Sequence, residues 1–209
     1  MTSKDISNAK FAWAREVIDA RKHLLDTIEN PQVHEHADSG LVQYLLADCA
    51  MHSLGQFGAH AGTNGWKYAC PSRWILEHGR LWTYQALDSD TAKEYGIDTG
   101  PIKMCYDNSY HAACNDPDGI VYCEGYAWAI IPMAHAWNTF AEEPQPNMVD
   151  LTLRVHNIET PVYFGVPFRQ EYVEHVLDGK DEHGVIANWQ QDYPLLQNDD
   201  WLEEAIHVL

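Results

Sequence analysis

The chain has 209 residues, of which 45% are hydrophobic and 21% charged, a globular composition that excludes a disordered or fibrous protein. Its 31 acidic and 13 basic residues give a formal net charge of −18, and such a field repels a nucleic-acid backbone. We therefore predict one domain that does not bind DNA or RNA directly.

The N-terminus and the cysteines indicate a reducing compartment. The chain begins with the polar stretch MTSKDISNAK, and no run of about 18 apolar residues is present to span a membrane. The 5 cysteines are odd in number and show no CxxC spacing, which is typical of free thiols. These features predict a cytoplasmic protein that does not enter a membrane.

Apolar residues at helical spacing dominate the first part of the chain. The pattern predicts helices over 7–30, 41–57 and 71–87, and the second of these is apolar around most of its circumference. The glycine-rich segment 58–65 connects the second helix to the third. We expect residues 1–95 to form a mainly helical part.

The following part reads as one short helix and then strands. After a helix over 105–114, the segments 119–131, 134–141 and 147–155 are rich in β-branched and aromatic residues and are bounded by turn residues. They are predicted to be three sequential strands of an antiparallel sheet, with 161–168 as a fourth.

The fold class follows from this order of elements. Residues 96–170 would supply a helix and an antiparallel sheet, and residues 171–209 a C-terminal helical extension. Helices segregated from an antiparallel sheet define an α+β fold. We predict a single α+β domain over 1–209.

Three side chains stand in the order that a cysteine acyl-transfer site requires. Cys105 opens the predicted helix, where the N–H groups and the helix dipole favour a thiolate and can hold an oxyanion. His135 opens the second predicted strand and Asp150 lies in the third. If these strands are neighbours, Asp150 orients the imidazole of His135, which takes the proton of Cys105.

Further residues near these three are candidates for substrate binding or for the oxyanion hole. Asn108 follows Cys105 by one helical turn, and Glu124 lies on a predicted strand between two tyrosines of its own face. The candidates are Asn108, Glu124, Tyr126, Trp137 and Asn138. For Glu124, a purely structural carboxylate remains the alternative.

Cys123 is the alternative nucleophile. It lies 12 positions before His135, in the segment YCEGYA, whose glycine and apolar residues indicate a strand interior. A thiol there has no helix dipole to ionise it, so Cys105 is the better candidate.

Metal and nucleotide motifs are absent from the sequence. The 12 histidines include a His-Glu-His triplet at 34–36, but neither HExxH nor paired CxxC motifs occur. There is no GxGxxG, no P-loop and no GxSxG. We predict no metal and no cofactor.

The segments CYDNSY, HAWN and VDLT together resemble the core of the transglutaminase-like branch of the papain-like cysteine enzymes. In that branch a cysteine opens a helix, His-Ala-Trp follows on a strand, and the next strand ends in Asp-x-Thr. The resemblance covers residues 101–153 and implies a papain-like core in which Cys105, His135 and Asp150 are the catalytic triad. It also implies acyl transfer on a protein or small amide: hydrolysis of an amide or isopeptide, deamidation, or transfer to an amine.

The same segments, with YCEGYA and YFGVPF, are also similar to a group of uncharacterised bacteriophage proteins. That similarity implies a phage-encoded protein in the host cytoplasm. The alternative function is a non-catalytic, acidic accessory or anti-defence protein that uses the same scaffold to bind a host protein.

Overall fold

The computed structural model describes most of the chain. The described residues are 3–55, 67–84, 89–141, 147–153, 161–177, 184–186, 188, 193–197, 200 and 202–208. The predicted connector 58–65 and the last two residues of the predicted strand 147–155 lie outside them.

Helices and strands are mixed along the chain, and the predicted α+β class is confirmed. In order they are α1 (Ser3–Thr27), α2 (Pro31–Glu35), α3 (Gly40–Ser53), α4 (Pro71–His78), β1 (Arg80–Tyr84), α5 (Ser89–Glu94), α6 (Cys105–Asn115), β2 (Ile120–Trp128), β3 (Pro132–Phe140), β4 (Asn147–Met148), β5 (Val162–Phe168), α7 (Gln170–Leu177), α8 (Pro194–Gln197) and α9 (Leu202–Ala205). Within the described residues, no helix combines the length and apolarity needed to cross a membrane.

The third predicted helix, over 71–87, is wrong over 79–84, and its last three residues lie outside the described residues. The helix α4 ends where the N–H of Gly79 bonds to the carbonyl of Ile75 at 2.7 Å, and the strand β1 begins one residue later. Leu81 packs toward the large helix-covered core, whereas the buried Trp82 belongs to a second cluster. Alternating burial between two hydrophobic clusters therefore overrides the helical pattern.

The sheet has the strand order β3-β2-β5-β1-β4. Strands β3, β2, β5 and β1 pair antiparallel, and β4 pairs parallel with β1. The sequence predicts an antiparallel sheet for the segments that hold β2, β3 and β5, whereas it does not predict β1 as a strand, and within β4 the third predicted strand does not pair antiparallel. The two edges of the sheet meet, because Val149, directly after β4, exchanges both backbone hydrogen bonds with Asn138 of β3 at 2.8 and 3.0 Å.

The predicted third strand, 147–155, is wrong over most of its described length. Only Asn147–Met148 and the bridge at Val149 are strand-like. Asp150 then turns the chain, because its Oδ1 accepts the backbone N–H groups of Thr152 and Leu153, both at 2.8 Å. Such a bond from an aspartate to the backbone two residues on is typical of a turn.

Two hydrophobic clusters lie on the two faces of the sheet. The larger one packs the helices against one face and includes Leu45, Trp74, Tyr122, Phe164 and Val166. The smaller one, here called the inner cluster, consists of Trp82, Cys123, Ala127, Trp137, Met148 and Tyr163. His135 lies two residues before Trp137 on β3, so both side chains leave the strand on the same face.

Candidate active site

Cys105 is the first residue of α6, as predicted, and its side chain is half-buried. The chain enters this helix through Lys103, whose φ of 66° lies in the left-handed region. Met104 is the N-cap residue and makes no side-chain hydrogen bond to the first turn. The first N–H groups of α6 are therefore not capped by Met104, and Cys105 remains reachable from solvent.

Two asparagines fix α6 in place. The Nδ2 group of Asn108 donates to the carbonyl of Pro101 at 2.8 Å and to Oγ1 of Thr152 at 2.7 Å. The Nδ2 group of Asn138 donates to the carbonyl of Ser109 at 2.9 Å. Asn108 thus joins α6 to the turn after Asp150, and Asn138 joins it to β3. Both asparagines therefore connect the helix that carries Cys105 to the segments that carry His135 and Asp150.

His135 and Asp150 form a buried hydrogen-bonded pair. The Nε2–H of His135 donates to Oδ2 of Asp150 at 2.7 Å. The residues are 4% and 6% exposed, so neither group reaches bulk water freely. The strand β3 carries His135 and the turn after β4 carries Asp150, and the bridge between Asn138 and Val149 brings these two segments side by side.

The carboxylate of Asp150 has partners for both of its oxygens. Besides His135, Oδ2 accepts the phenolic O–H of Tyr163 at 2.8 Å, and Oδ1 accepts the N–H groups of Thr152 and Leu153. Sequence reasoning missed Tyr163, which comes from β5. Only its strand register, opposite Trp82 of β1, would have pointed to the inner cluster.

The charges of this pair are set by its surroundings. Burial alone lowers the pKa of His135, but its hydrogen bonds to Asp150 and Cys105 and their charges outweigh burial and raise the pKa to about 9. Burial raises the pKa of Asp150, and the hydrogen bonds and charge of His135, with the N–H groups of Leu153 and Thr152, bring it below its usual value. The pair is therefore an imidazolium and a carboxylate near neutral pH.

Cys105 lies beside this pair. Its thiol interacts with the imidazole of His135 and contributes to the raised pKa of that ring. Because Asp150 engages Nε2, the ring nitrogen that remains for the thiol is Nδ1. The three groups thus stand in the spatial order of a nucleophilic site: a half-buried thiol as nucleophile, an imidazole as base, and a buried carboxylate that orients the imidazole.

Two other candidates, Glu124 and Tyr126, lie on the helix-covered face of the sheet. Oε2 of Glu124 accepts the O–H of Tyr122 at 3.1 Å and the N–H of Val185 at 2.6 Å, and Oε1 accepts the N–H of Ile186 at 3.1 Å. Glu124 is only 2% exposed and anchors the segment 184–186. These contacts therefore favour a purely structural role for the Glu124 carboxylate over substrate binding.

Tyr126 points toward α3 and α4 and away from the pair of His135 and Asp150. Its ring lies 5.8 Å from that of Tyr44, and its phenol lies near Ser72. Burial raises the pKa of its phenol, so the group stays neutral.

Trp137 is fully buried in the inner cluster. Its ring meets Tyr163 edge-on, with the centroids 5.3 Å apart, and lies 6.2 Å from Trp82. It supports the tyrosine that binds Asp150 and has no solvent-facing surface of its own.

The other cysteines differ from Cys105 in burial and in neighbours. Cys123 is fully buried, and burial raises the pKa of its thiol well above the usual range. Cys49 and Cys70 are buried together, with their sulfurs 3.7 Å apart. Cys114 is half-buried like Cys105, but it accepts a hydrogen bond from the amide of Gln170 at 3.3 Å.

Metal-ligating side chains converge at another place in the described part of the chain. Asp48, His52 and Cys70 lie together on α3 and just before α4.

Comparisons with known proteins found no match: no family model, no curated protein and no solved structure resembles the chain significantly.

Proposed function

We propose that the protein is a cysteine-dependent acyl-transfer enzyme with a papain-like, transglutaminase-type core. The observation that carries the proposal is the buried hydrogen bond between His135 and Asp150 beside the thiol of Cys105, which stands at a helix N-terminus. The raised pKa of His135 supports it, because an imidazolium stabilises a neighbouring thiolate.

The reaction begins when the thiolate of Cys105 attacks the carbonyl carbon of an amide. Backbone N–H groups in the first turn of α6 stabilise the oxyanion of the tetrahedral intermediate. The imidazolium of His135 gives its proton to the leaving amine, the C–N bond breaks, and a thioester remains on Cys105. Asp150 keeps the ring oriented throughout and stabilises its positive charge.

The second half of the reaction releases the acyl group. Water or an amine loses a proton to the now neutral His135 and attacks the thioester carbonyl, and the C–S bond breaks. Water gives hydrolysis or deamidation, and an amine gives transfer. The side chains of Ile102 and Met104, which are 64% and 44% exposed just before Cys105, offer apolar surface beside the nucleophile.

The proposal is tested with p-nitrophenyl acetate, a small activated acyl donor. We expect a burst of nitrophenolate equal to the enzyme concentration and an acetyl group on Cys105 by peptide mass spectrometry. Cys105→Ala removes the burst, and His135→Gln slows it by a factor of about 100 or more, because general base assistance is lost.

Cys114→Ala is the matched control, since this thiol lies on the same helix and is equally half-buried. It should leave the burst unchanged. An acetyl group spread over several residues, or a full burst in Cys105→Ala, contradicts the proposal and favours a non-catalytic binding protein.

A further inference from the structure

A second cluster of reactive side chains lies on the helical side of the chain. Asp48, His52 and Cys70 bring a carboxylate oxygen, an imidazole nitrogen and a thiol sulfur within 4.8 Å of one another. Asp48 and His52 are four residues apart on α3 and so share one face of that helix. Cys70 is the N-cap residue of α4 and is 2% exposed, and the other two are partly buried. The cluster is therefore not a solvated surface group.

The carboxylate of Asp48 is already oriented. The hydroxyl of Ser72 donates to its Oδ2 at 2.7 Å, and its Oδ1 faces His52, whose Nε2 lies 3.9 Å away. Two ligand atoms on one tetrahedral zinc ion lie about 3.3 Å apart, given zinc–ligand bonds of about 2.0 Å. Small side-chain rotations therefore bring both atoms to bonding distance. Hydrogen bonds that hold a ligating carboxylate, as Ser72 holds Asp48, are usual around metal sites.

A fourth donor lies beside Cys70. The sulfur of Cys49 is 3.7 Å from that of Cys70. Two thiolates bound to one zinc ion are about 3.8 Å apart, because each zinc–sulfur bond is about 2.3 Å long. The observed distance between the two sulfurs is therefore close to the distance expected for two thiolates on one zinc ion.

We propose that Asp48, His52 and Cys70, with Cys49 as the fourth donor, form a zinc site that joins α3 to the start of α4. Sulfur and nitrogen donors select zinc over magnesium and calcium, which prefer oxygen ligands. When zinc binds, each ligating thiol releases its proton to solvent and forms a zinc–sulfur bond, with no change of oxidation state. The bound ion stabilises the folded state, since it binds that state preferentially.

The test uses the Cys105→Ala protein, so that the candidate active site cannot supply a thiolate. After treatment with a chelator, we expect it to bind one equivalent of Zn²⁺ and to be stabilised by it against thermal unfolding. With Co²⁺ in place of Zn²⁺, a thiolate-to-cobalt charge-transfer band should appear. Cys70→Ser and His52→Gln, each added to this background, should weaken Zn²⁺ binding by more than about 100-fold, because a lost ligand costs more than a lost outer-shell partner.

Matched controls come from residues outside the cluster. Cys114→Ser and His23→Gln, made in the same background, should leave the affinity and the cobalt band unchanged. His52 is half-buried in the last turn of α3, so His52→Gln tests the site even if Cys70→Ser fails to fold. Absence of the charge-transfer band in the Cys105→Ala protein, or unchanged Zn²⁺ affinity in His52→Gln, overturns the proposal.

Discussion

At the scale of single residues, the candidate site depends on how well one buried carboxylate is held. Asp150 accepts hydrogen bonds from an imidazole, a phenol and two backbone N–H groups. A buried charge is tolerated only when its hydrogen-bonding capacity is used in this way. The orientation of His135 therefore depends on groups that take no part in the chemistry themselves.

Tyr163→Phe removes one of these groups without changing the shape of the side chain. We expect a loss of about 1.5–3 kcal/mol in the free energy of unfolding, because a hydrogen bond to a charged group is lost in a buried place. The measurement is urea unfolding. Tyr84→Phe is the control, since its ring stacks on Tyr163 with the centroids 6.4 Å apart. Equal, small losses in the two variants would show that the bond to Asp150 contributes nothing.

His135 makes the stability of the chain dependent on pH. Its pKa is about 9 in the folded state against an ordinary value of 6.5, so its contribution is complete below about pH 6.5 and is lost as the pH rises through 9. The size is at most about 3 kcal/mol, at about 1.4 kcal/mol for each pKa unit. We expect the free-energy difference between the natural chain and His135→Gln to shrink over this window. A difference that stays constant with pH would rule out a charged His135 in the folded state.

The three residues of the candidate triad could be identified from the sequence, but the residues that hold them in place could not. Cys105, His135 and Asp150 stand out because a thiol at a helix start precedes an imidazole and a carboxylate on later segments. Tyr163 carries no such signal, since any strand tyrosine can be a core residue. Asn108 and Asn138 were candidates from the sequence, but the hydrogen bonds that their amides donate to backbone carbonyls and to a threonine depend on tertiary placement.

At the scale of elements, the packing of the inner cluster depends on two glycines that leave room between neighbouring strands. Gly125 and Gly165 face each other on β2 and β5. A Cβ on Gly165 would lie 2.5 Å from Cη2 of Trp137 and would also meet the backbone of Glu124. Because Gly165 has no side chain, the ring of Trp137 can pack directly over β5 and against Tyr163.

Gly165→Ala tests this packing. We expect a loss of about 1–3 kcal/mol, because the added methyl group overpacks a site that has no room for it. Gly40→Ala is the control, since a Cβ there lies 3.3–3.5 Å from the end of the Trp128 ring, in the first turn of α3. Chemical denaturation of both variants measures the effect. A neutral Gly165→Ala would contradict the close approach of Trp137.

Element prediction succeeded where local patterns and tertiary packing agree. The helices α3, α6 and α7 have caps or apolar faces that predict them, and β2 and β3 pair directly, as sequential strands usually do. It failed at β1, where a helical pattern extends past Gly79 into a strand that lies between β5 and β4. It also failed after β4, where the side chain of Asp150 bonds to its own backbone and turns the chain.

At the scale of the whole molecule, Glu124 links distant parts of the chain. From the middle of β2 it accepts N–H groups of a segment 61 and 62 positions later. Gly184 packs directly on this carboxylate and on the ring of Tyr106, the neighbour of Cys105. The segment 184–186 is thus tied to the sheet through one buried acid.

Glu124→Gln should loosen this link. An amide presents N–H groups where one carboxylate oxygen accepts backbone donors, so at least one buried N–H loses its partner at a cost of about 1–3 kcal/mol. We expect faster hydrogen exchange at the amides of Val185 and Ile186, measured by mass spectrometry. Glu174→Gln, on the exposed face of α7, is the control and should change neither amide. Unchanged exchange in Glu124→Gln would mean that other contacts hold the segment.

We propose that His135 and Asp150 activate the thiol of Cys105, and the rate at which this thiol reacts with iodoacetamide tests the activation most directly. At neutral pH, Cys105 should react more than about tenfold faster than Cys114, the other half-buried cysteine of α6, because a thiolate and not a thiol is the nucleophile. In His135→Gln the two rates should become similar. Uniform, slow labelling of both cysteines in the natural chain, unaffected by His135→Gln, would show that Cys105 is not activated.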